Sequence, residues 1–207
     1  MKRTFALVLA LVSAAAFGQS APPSSIDQML QPSAGPSAAQ GVIGVVLDAD
    51  GKDQKLSPMP GTMNTVYAFL TVLIYSDFAN LHASATTSTA SPTIYVLMGG
   101  EPDGRVFLVR TKVNANSNNR SVKMGKAKFA GYAGVTIPDP DWTVPYTAKQ
   151  IKPGEWAITP KSPLKPGEYG LFVPSTTPNP GAPLAIGGSL YGFGVESESP
   201  AVAAGVS

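Results

Sequence analysis

Cysteine is absent from the 207-residue chain, and histidine occurs once, at His82. The first absence excludes a disulfide scaffold, a thiolate metal site, a cysteine nucleophile and covalent c-type haem attachment; the second excludes a multi-histidine metal centre. Charged residues are scarce at 14%, and there are only two Trp. No Gly-rich phosphate loop stands between a strand and a helix, and no Gly-x-Ser-x-Gly elbow is present for a Ser-His-Asp hydrolase, whose base would have to be His82. What is plentiful is turn chemistry, with Gly 21 and Pro 20, against 43% hydrophobic residues. So much Gly and Pro is incompatible with a helix bundle and favours many short strands joined by tight turns. The hydrophobic fraction is too high for disorder by the charge and hydropathy criterion.

Residues 1–18 have the three parts of a secretory signal: the basic pair Lys2 and Arg3, the apolar run FALVLALVSAAA, and small residues for a peptidase. The run is shorter than the about 20 residues that span a bilayer, so the signal is expected to be cleaved, leaving no integral membrane span. The chain carries Lys+Arg 15 and Asp+Glu 13, and loss of Lys2 and Arg3 leaves the mature chain neutral. Net charge therefore gives no reason to expect nucleic acid as a partner. Residues 19–40, rich in Ser, Ala, Pro and Gln, read as a flexible linker, and residues 197–207 as a disordered tail.

Residues 41–196 are expected to form one all-β domain, an antiparallel β-sandwich of Ig-like or jelly-roll-like type with about seven to nine strands. GVIGVVL at 41–47 is β-branched, and Asp48-Ala49-Asp50-Gly51 turns the chain back toward Lys55-Leu56. VYAFLTVLIY at 66–75 is the most apolar mature segment and reads as a strand covered on both faces. TIYVLM at 93–98 and RVFLVRTKV at 105–113 continue the pattern, and the Asn-rich 114–119 is a hairpin connection because Asn tolerates positive φ. A short repeat follows: IKPGEWAI at 151–158 and LKPGEYGL at 164–171. Pro presets φ at the second position of a turn and Gly supplies the positive φ at the third. The aromatic and the aliphatic residue two places on then share one face of the strand. Each copy predicts a turn followed by a strand entering the core, and GGSLYGFGV at 187–195 supplies the last strand.

The closing pair, LKPGEYGL and then LYGFGV at 190–195, resembles the final hairpin of a set of secreted bacterial β-rich proteins of unknown function. Asn118-Asn119-Arg120-Ser121-Val122-Lys123-Met124-Gly125 and the segment 45–58 are similar to upstream features of that set. The resemblance implies a compact β-rich envelope domain and brings no catalytic residues with it.

Several groups of residues are candidates for chemistry. Asp48, Asp50 and Asp53 have the alternating spacing of a calcium loop, but an EF-hand needs a bidentate Glu where Met59 stands, and the alternative is an Asp-Gly hairpin turn. Arg105, Arg110, Lys112, Arg120, Lys123, Lys126 and Lys128 form an acid-free stretch that suits an anionic polymer, against a plain distribution over sheet edges and one wet face. Only Phe107 and Phe129 are near enough to stack bases, too few for single-stranded nucleic acid. Glu155 or Glu168 with Asp139 or Asp141 is the pair a glycosidase would use, and Trp142 a platform for a sugar; both glutamates follow turns, where an exposed acid is ordinary.

The expectation drawn from these features is an exported, non-enzymatic domain, periplasmic or extracellular, with no catalytic residues, no cofactor and no metal. It binds an envelope protein or glycan through the loops 83–91 and 174–188. A carbohydrate-active hydrolase with paired carboxylates and a structural subunit joined through edge strands are the competing readings.

Overall fold

The computed structural model describes residues 41–68, 71–128, 137–174 and 188–197. Fourteen strands in three sheets account for most of them, an all-β sandwich arrangement in which one sheet lies between the other two. The first sheet has the order β11 (Tyr146–Lys152), β12 (Glu155–Pro160), β7 (Thr93–Met98), β1 (Val42–Ala49) and β2 (Lys52–Leu56). The second runs β3 (Pro58–Pro60), β14 (Ser189–Val195), β13 (Gly167–Val173) and β8 (Phe107–Arg110), with β6 (Thr86–Thr87) pairing parallel to β14. The third is β4 (Thr62–Ala68), β5 (Thr71–Ala79), β10 (Asn119–Lys128) and β9 (Lys112–Asn114). The strand count exceeds the expected seven to nine because short segments such as β3, β6 and β9 pair only briefly at edges. No described helix is long and apolar enough to cross a membrane. The signal, the linker, most of the 174–188 loop and nearly all of the tail lie outside the described residues.

The second sheet is the middle layer, and alternation along its strands shows it. Tyr169, Leu171 and Val173 of β13 and Tyr191, Phe193 and Val195 of β14 join Val45, Leu47, Ile94, Val96 and Ile158 of the first sheet in one core. Phe172 and Leu190, on the opposite face, join Val72, Ile74, Phe78, Val122 and Met124 of the third sheet in a second core. Every residue of β14 is buried, as a strand covered on both faces requires.

The turns follow the sequence. Asp50 and Gly51, between β1 and β2, have φ of 56° and 76°, the left-handed pair of a tight hairpin. Asn118 adopts φ 50° between β9 and β10. The two PGE motifs differ: Pro153-Gly154 makes the expected turn, with Gly154 at φ 78°, whereas Gly167, at φ 151°, is already the first residue of β13 and the second turn is not formed. The strands that follow, β12 and β13, occupy opposite walls of the first core: Trp156 and Ile158 face Tyr169 and Leu171 across it. The segment 66–75 differs from expectation. It is not one doubly covered strand but the two arms of the β4–β5 hairpin, with Val66 and Tyr67 44% and 75% exposed. Continuous apolarity fits a hairpin with one wet arm as well as it fits a buried strand.

Loop 83–91 is tied down rather than free. The Asp50 carboxylate accepts bonds from Thr87 Oγ1 (3.2 Å), Ser88 N (2.9 Å), Ser88 Oγ (2.9 Å), Thr89 N (3.1 Å) and Thr89 Oγ1 (2.7 Å). Asp48 Oδ1 accepts from Gly51 N at 3.2 Å, an ordinary Asx turn. The calcium arrangement considered for Asp48, Asp50 and Asp53 is thus replaced by a clamp of hydroxyl and amide donors. Among the described residues no group of three acids or histidines is placed to hold a metal.

These donors, the Ser88 amide foremost, hold the Asp50 carboxyl well below the usual carboxylate range. The sign follows: the clamp contributes fully above the unfolded-state value of 3.8 and is lost as the pH falls toward the folded-state value. Asp50→Asn is therefore expected to speed hydrogen exchange at the Ser88 and Thr89 amides at neutral pH. The difference from the native protein should shrink below about pH 4. Equal exchange in the two proteins at pH 7 would show that the clamp does not hold the loop.

Candidate functional site

The cleft of interest opens where β8 and β9 meet, and its organiser is Glu168, the second residue of β13. The backbone carbonyl of Glu168 accepts from Thr111 N at 2.9 Å and Thr111 Oγ1 at 3.2 Å. That buries Thr111 and presents its neighbours Arg110 and Lys112 to the cleft. The side chain reaches the other way. Oε1 accepts from His82 Nδ1 at 3.0 Å, and Oε2 from Ala83 N at 2.9 Å and Arg120 Nη1 at 3.0 Å. Since a carboxylate only accepts, His82 carries its proton on Nδ1. One residue thus fixes both walls, the β8–β9 junction and the 80–83 turn.

Arg120 is wholly buried. It lies on β10 in phase with Val122 and Met124, so the guanidinium points into the second core where an apolar side chain is the norm. Nη2 lies 3.5 Å from Met59 Sδ, and Nε has no hydrogen-bond partner among the described residues. Burial lowers its pKa and the Glu168 carboxylate opposes that shift. Room for the guanidinium comes from β14: a Cβ on Gly192 would stand 2.9 Å from both Nη1 and Nη2.

The far wall is a short 3-10 turn, Pro140–Trp142. Asp139 caps it, accepting from Asp141 N at 3.1 Å, and is itself held by Lys123 Nζ at 2.6 Å. Val144 N bonds Leu108 O at 2.7 Å, which brings this segment onto β8. The Trp142 ring meets Tyr75 edge-on, with centroids 6.2 Å apart and planes at 74°. The resulting cleft has a volume of about 560 Å³ and is lined by His82, Arg110, Lys112, Asp141, Trp142 and Glu168 with the backbone between them.

The candidates from the sequence therefore divide. Asp141, Glu168 and Trp142 share the cleft; Asp139 serves as a cap and ion-pair partner, and Glu155 is buried with Lys152 Nζ at 3.4 Å. The expectation that both glutamates are exposed at turn tips is corrected. Glu155 and Glu168 enter strands with a neighbour on each side, β11 and β7 for one, β14 and β8 for the other. The basic stretch is not one stripe either. Arg105 bonds the Gly99 carbonyl, Arg120 is buried, Lys123 is paired, and Arg110 and Lys112 face the cleft; the side chains of Lys126 and Lys128 lie outside the described residues.

Sequence reasoning weighed His82 only as the base of a Ser-His-Asp hydrolase and Arg120 only as one cation of the basic stretch, not as a buried partner of Glu168. The available signal for Arg120 was its two-residue spacing from Val122 and Met124; nothing local marks the reach of His82 to Glu168, 86 positions away. Comparison with known proteins adds no relative: no family model, no curated protein and no solved structure matches the chain.

Proposed function

We propose that this is an exported, non-enzymatic domain of the cell envelope that binds a glycan in the Trp142 cleft. The observation that carries the reading is an indole ring braced by Tyr75 on the wall of a concave site whose other walls present mostly polar side chains beside Val113. Sugars present apolar ring faces and a rim of hydroxyls, and such a site meets both at once. A pre-oriented ring has little freedom left to lose on binding. The signal-like residues 1–18 and the resemblance of the closing hairpin to secreted β-rich proteins support an envelope ligand.

The hydrolase reading now rests on Glu168 and Asp141 alone. Both Glu168 oxygens already accept bonds from donors, which leaves no carboxylic proton to give a leaving group. Assembly through edge strands is disfavoured at β11, which carries Lys149, Lys152 and a bulge between Gln150 and Lys152, features that guard an edge.

Trp142→Ala is expected to weaken glycan binding roughly tenfold, or about 1.4 kcal/mol, while thermal stability changes little. Fluorescence titration of the native protein against a panel of envelope oligosaccharides checks this, since Trp156 packs against the first core and reports less. Binding that is indifferent to Trp142 would refute the assignment of the cleft. Release of reducing sugar that Asp141→Asn abolishes would put the hydrolase in its place.

A further inference from the structure

The charges around the cleft do not cancel, and the way they fail to cancel identifies the ligand more closely. Glu168 is neutralised from behind by the buried Arg120, 3.0 Å away, so it offers no net charge to a ligand. Of the remaining groups on the walls, Arg110 and Lys112 are cationic and Asp141 anionic. Among the described residues none of these three has an ion pair or hydrogen bond through its side chain. His82, with its side chain 72% exposed, stands at the rim with Nδ1 already committed to Glu168.

We infer that the glycan bound here is acidic, and that Arg110 and Lys112 hold its anionic group while the sugar ring lies on Trp142. The geometry favours these two cations. Thr111 between them is tethered to the Glu168 carbonyl by two bonds, at 2.9 and 3.2 Å, so both side chains spring from a fixed stretch of backbone. The Arg110 guanidinium passes over Gly167, which has no side chain to crowd it, and lines the cleft. Its planar fork is the group best suited to carboxylate or phosphate. Two neighbouring cations without acidic partners among the described residues are an electrostatic cost that an anionic ligand relieves. A carboxylate on a uronic acid and a phosphodiester in a polyol-phosphate chain share the required chemistry.

The inference rests on the glycan reading, and one set of titrations separates the two. The purified protein is titrated calorimetrically with tetragalacturonate, with a glycerol-phosphate oligomer and with neutral cellotetraose, at low and raised salt. The expected result is that one anionic probe binds at least tenfold more tightly than the neutral one and loses affinity as salt rises; which one it is identifies the anion. Arg110→Gln and Lys112→Gln should each weaken that probe by about tenfold without shifting the melting temperature, both being exposed. Equal affinity for cellotetraose and the anionic probes, unaffected by the two substitutions, would overturn the acidic ligand and leave the glycan cleft standing. Failure of all three probes to bind would overturn both.

Discussion

Glu168→Gln is expected to destabilise the domain by about 3–5 kcal/mol, the cost typical of removing one partner from a buried ion pair. The argument is in the donors. Oε1 faces His82 Nδ1, and Oε2 faces Ala83 N and Arg120 Nη1. An amide has one acceptor oxygen, so with that oxygen toward Ala83 N and Arg120 Nη1 its NH2 group faces His82 Nδ1, which must give up its proton to accept, and the guanidinium of a fully buried Arg120 is left without a counter-charge. For a domain of this size the loss corresponds to a fall in melting temperature of roughly 10 °C. Arg120→Met alone should also destabilise, by removing the countercharge behind Glu168, though less, because Glu168 retains His82 and the Ala83 amide. Combining Arg120→Met with Glu168→Met is expected to recover most of the loss, since two apolar side chains of similar volume replace a pair whose desolvation is expensive. Denaturant titration of the native protein, Glu168→Met, Arg120→Met and their combination, at unchanged m-value, reads the cycle directly, with Glu168→Gln measured beside them. A Glu168→Gln protein as stable as the native one would mean that Arg120 is not held by this carboxylate.

Such a pair explains why the site was hard to see in the sequence while the sheets around it were not. Turn chemistry is local: Pro153-Gly154, Asp50-Gly51 and Asn118 each announce their conformation within a few residues, and the β11–β12, β1–β2 and β9–β10 pairings follow from them. Layering is not local. The continuous apolar run at 66–75 reads as a central strand, yet the strand buried along its whole length is β14, whose composition is diluted by Gly192 and Gly194. Gly192 is small because Arg120 occupies the space where its side chain would be. A Cβ there would lie 2.9 Å from Nη1 and Nη2, whereas one on Gly194 would press on Thr86 Cγ2 at 3.3 Å and meet Glu168 Oε1 only in ordinary contact at 3.5 Å. The cleft is further removed from any linear signal, since Trp142 is brought to β8 by the pairing of Val109 with Thr143 and the bond from Val144 N to Leu108 O, contacts across more than thirty positions. What was legible was the identity of several residues, Trp142, Asp141 and Glu168 among them; their convergence was not.

The same packing makes a sharper prediction about Gly192. Its Cα–H faces the guanidinium, and Gly192→Ala would set a methyl 2.9 Å from both Nη atoms and 3.2 Å from Met59 Cε. The methionine end can shift. The guanidinium is less free, because it is fully buried and bonded to Glu168 at 3.0 Å. Nor can β14 move away, since it is paired with β13 on one side and with β3 and β6 on the other. Overpacking of this kind typically costs about 1–3 kcal/mol, and here the displaced guanidinium also loses its carboxylate, so the upper part of that range is expected. The decisive test is non-additivity. In an Arg120→Met background the obstacle is a flexible thioether chain, and Gly192→Ala should then be close to neutral, giving a coupling energy of roughly 1–3 kcal/mol between the two positions. Ordinary backbone strain predicts the same penalty in both backgrounds, because Gly192 is not among the glycines with positive φ. Additive losses would therefore show that the glycine serves the strand itself, whereas rescue by Arg120→Met would show that β14 is written around a buried cation.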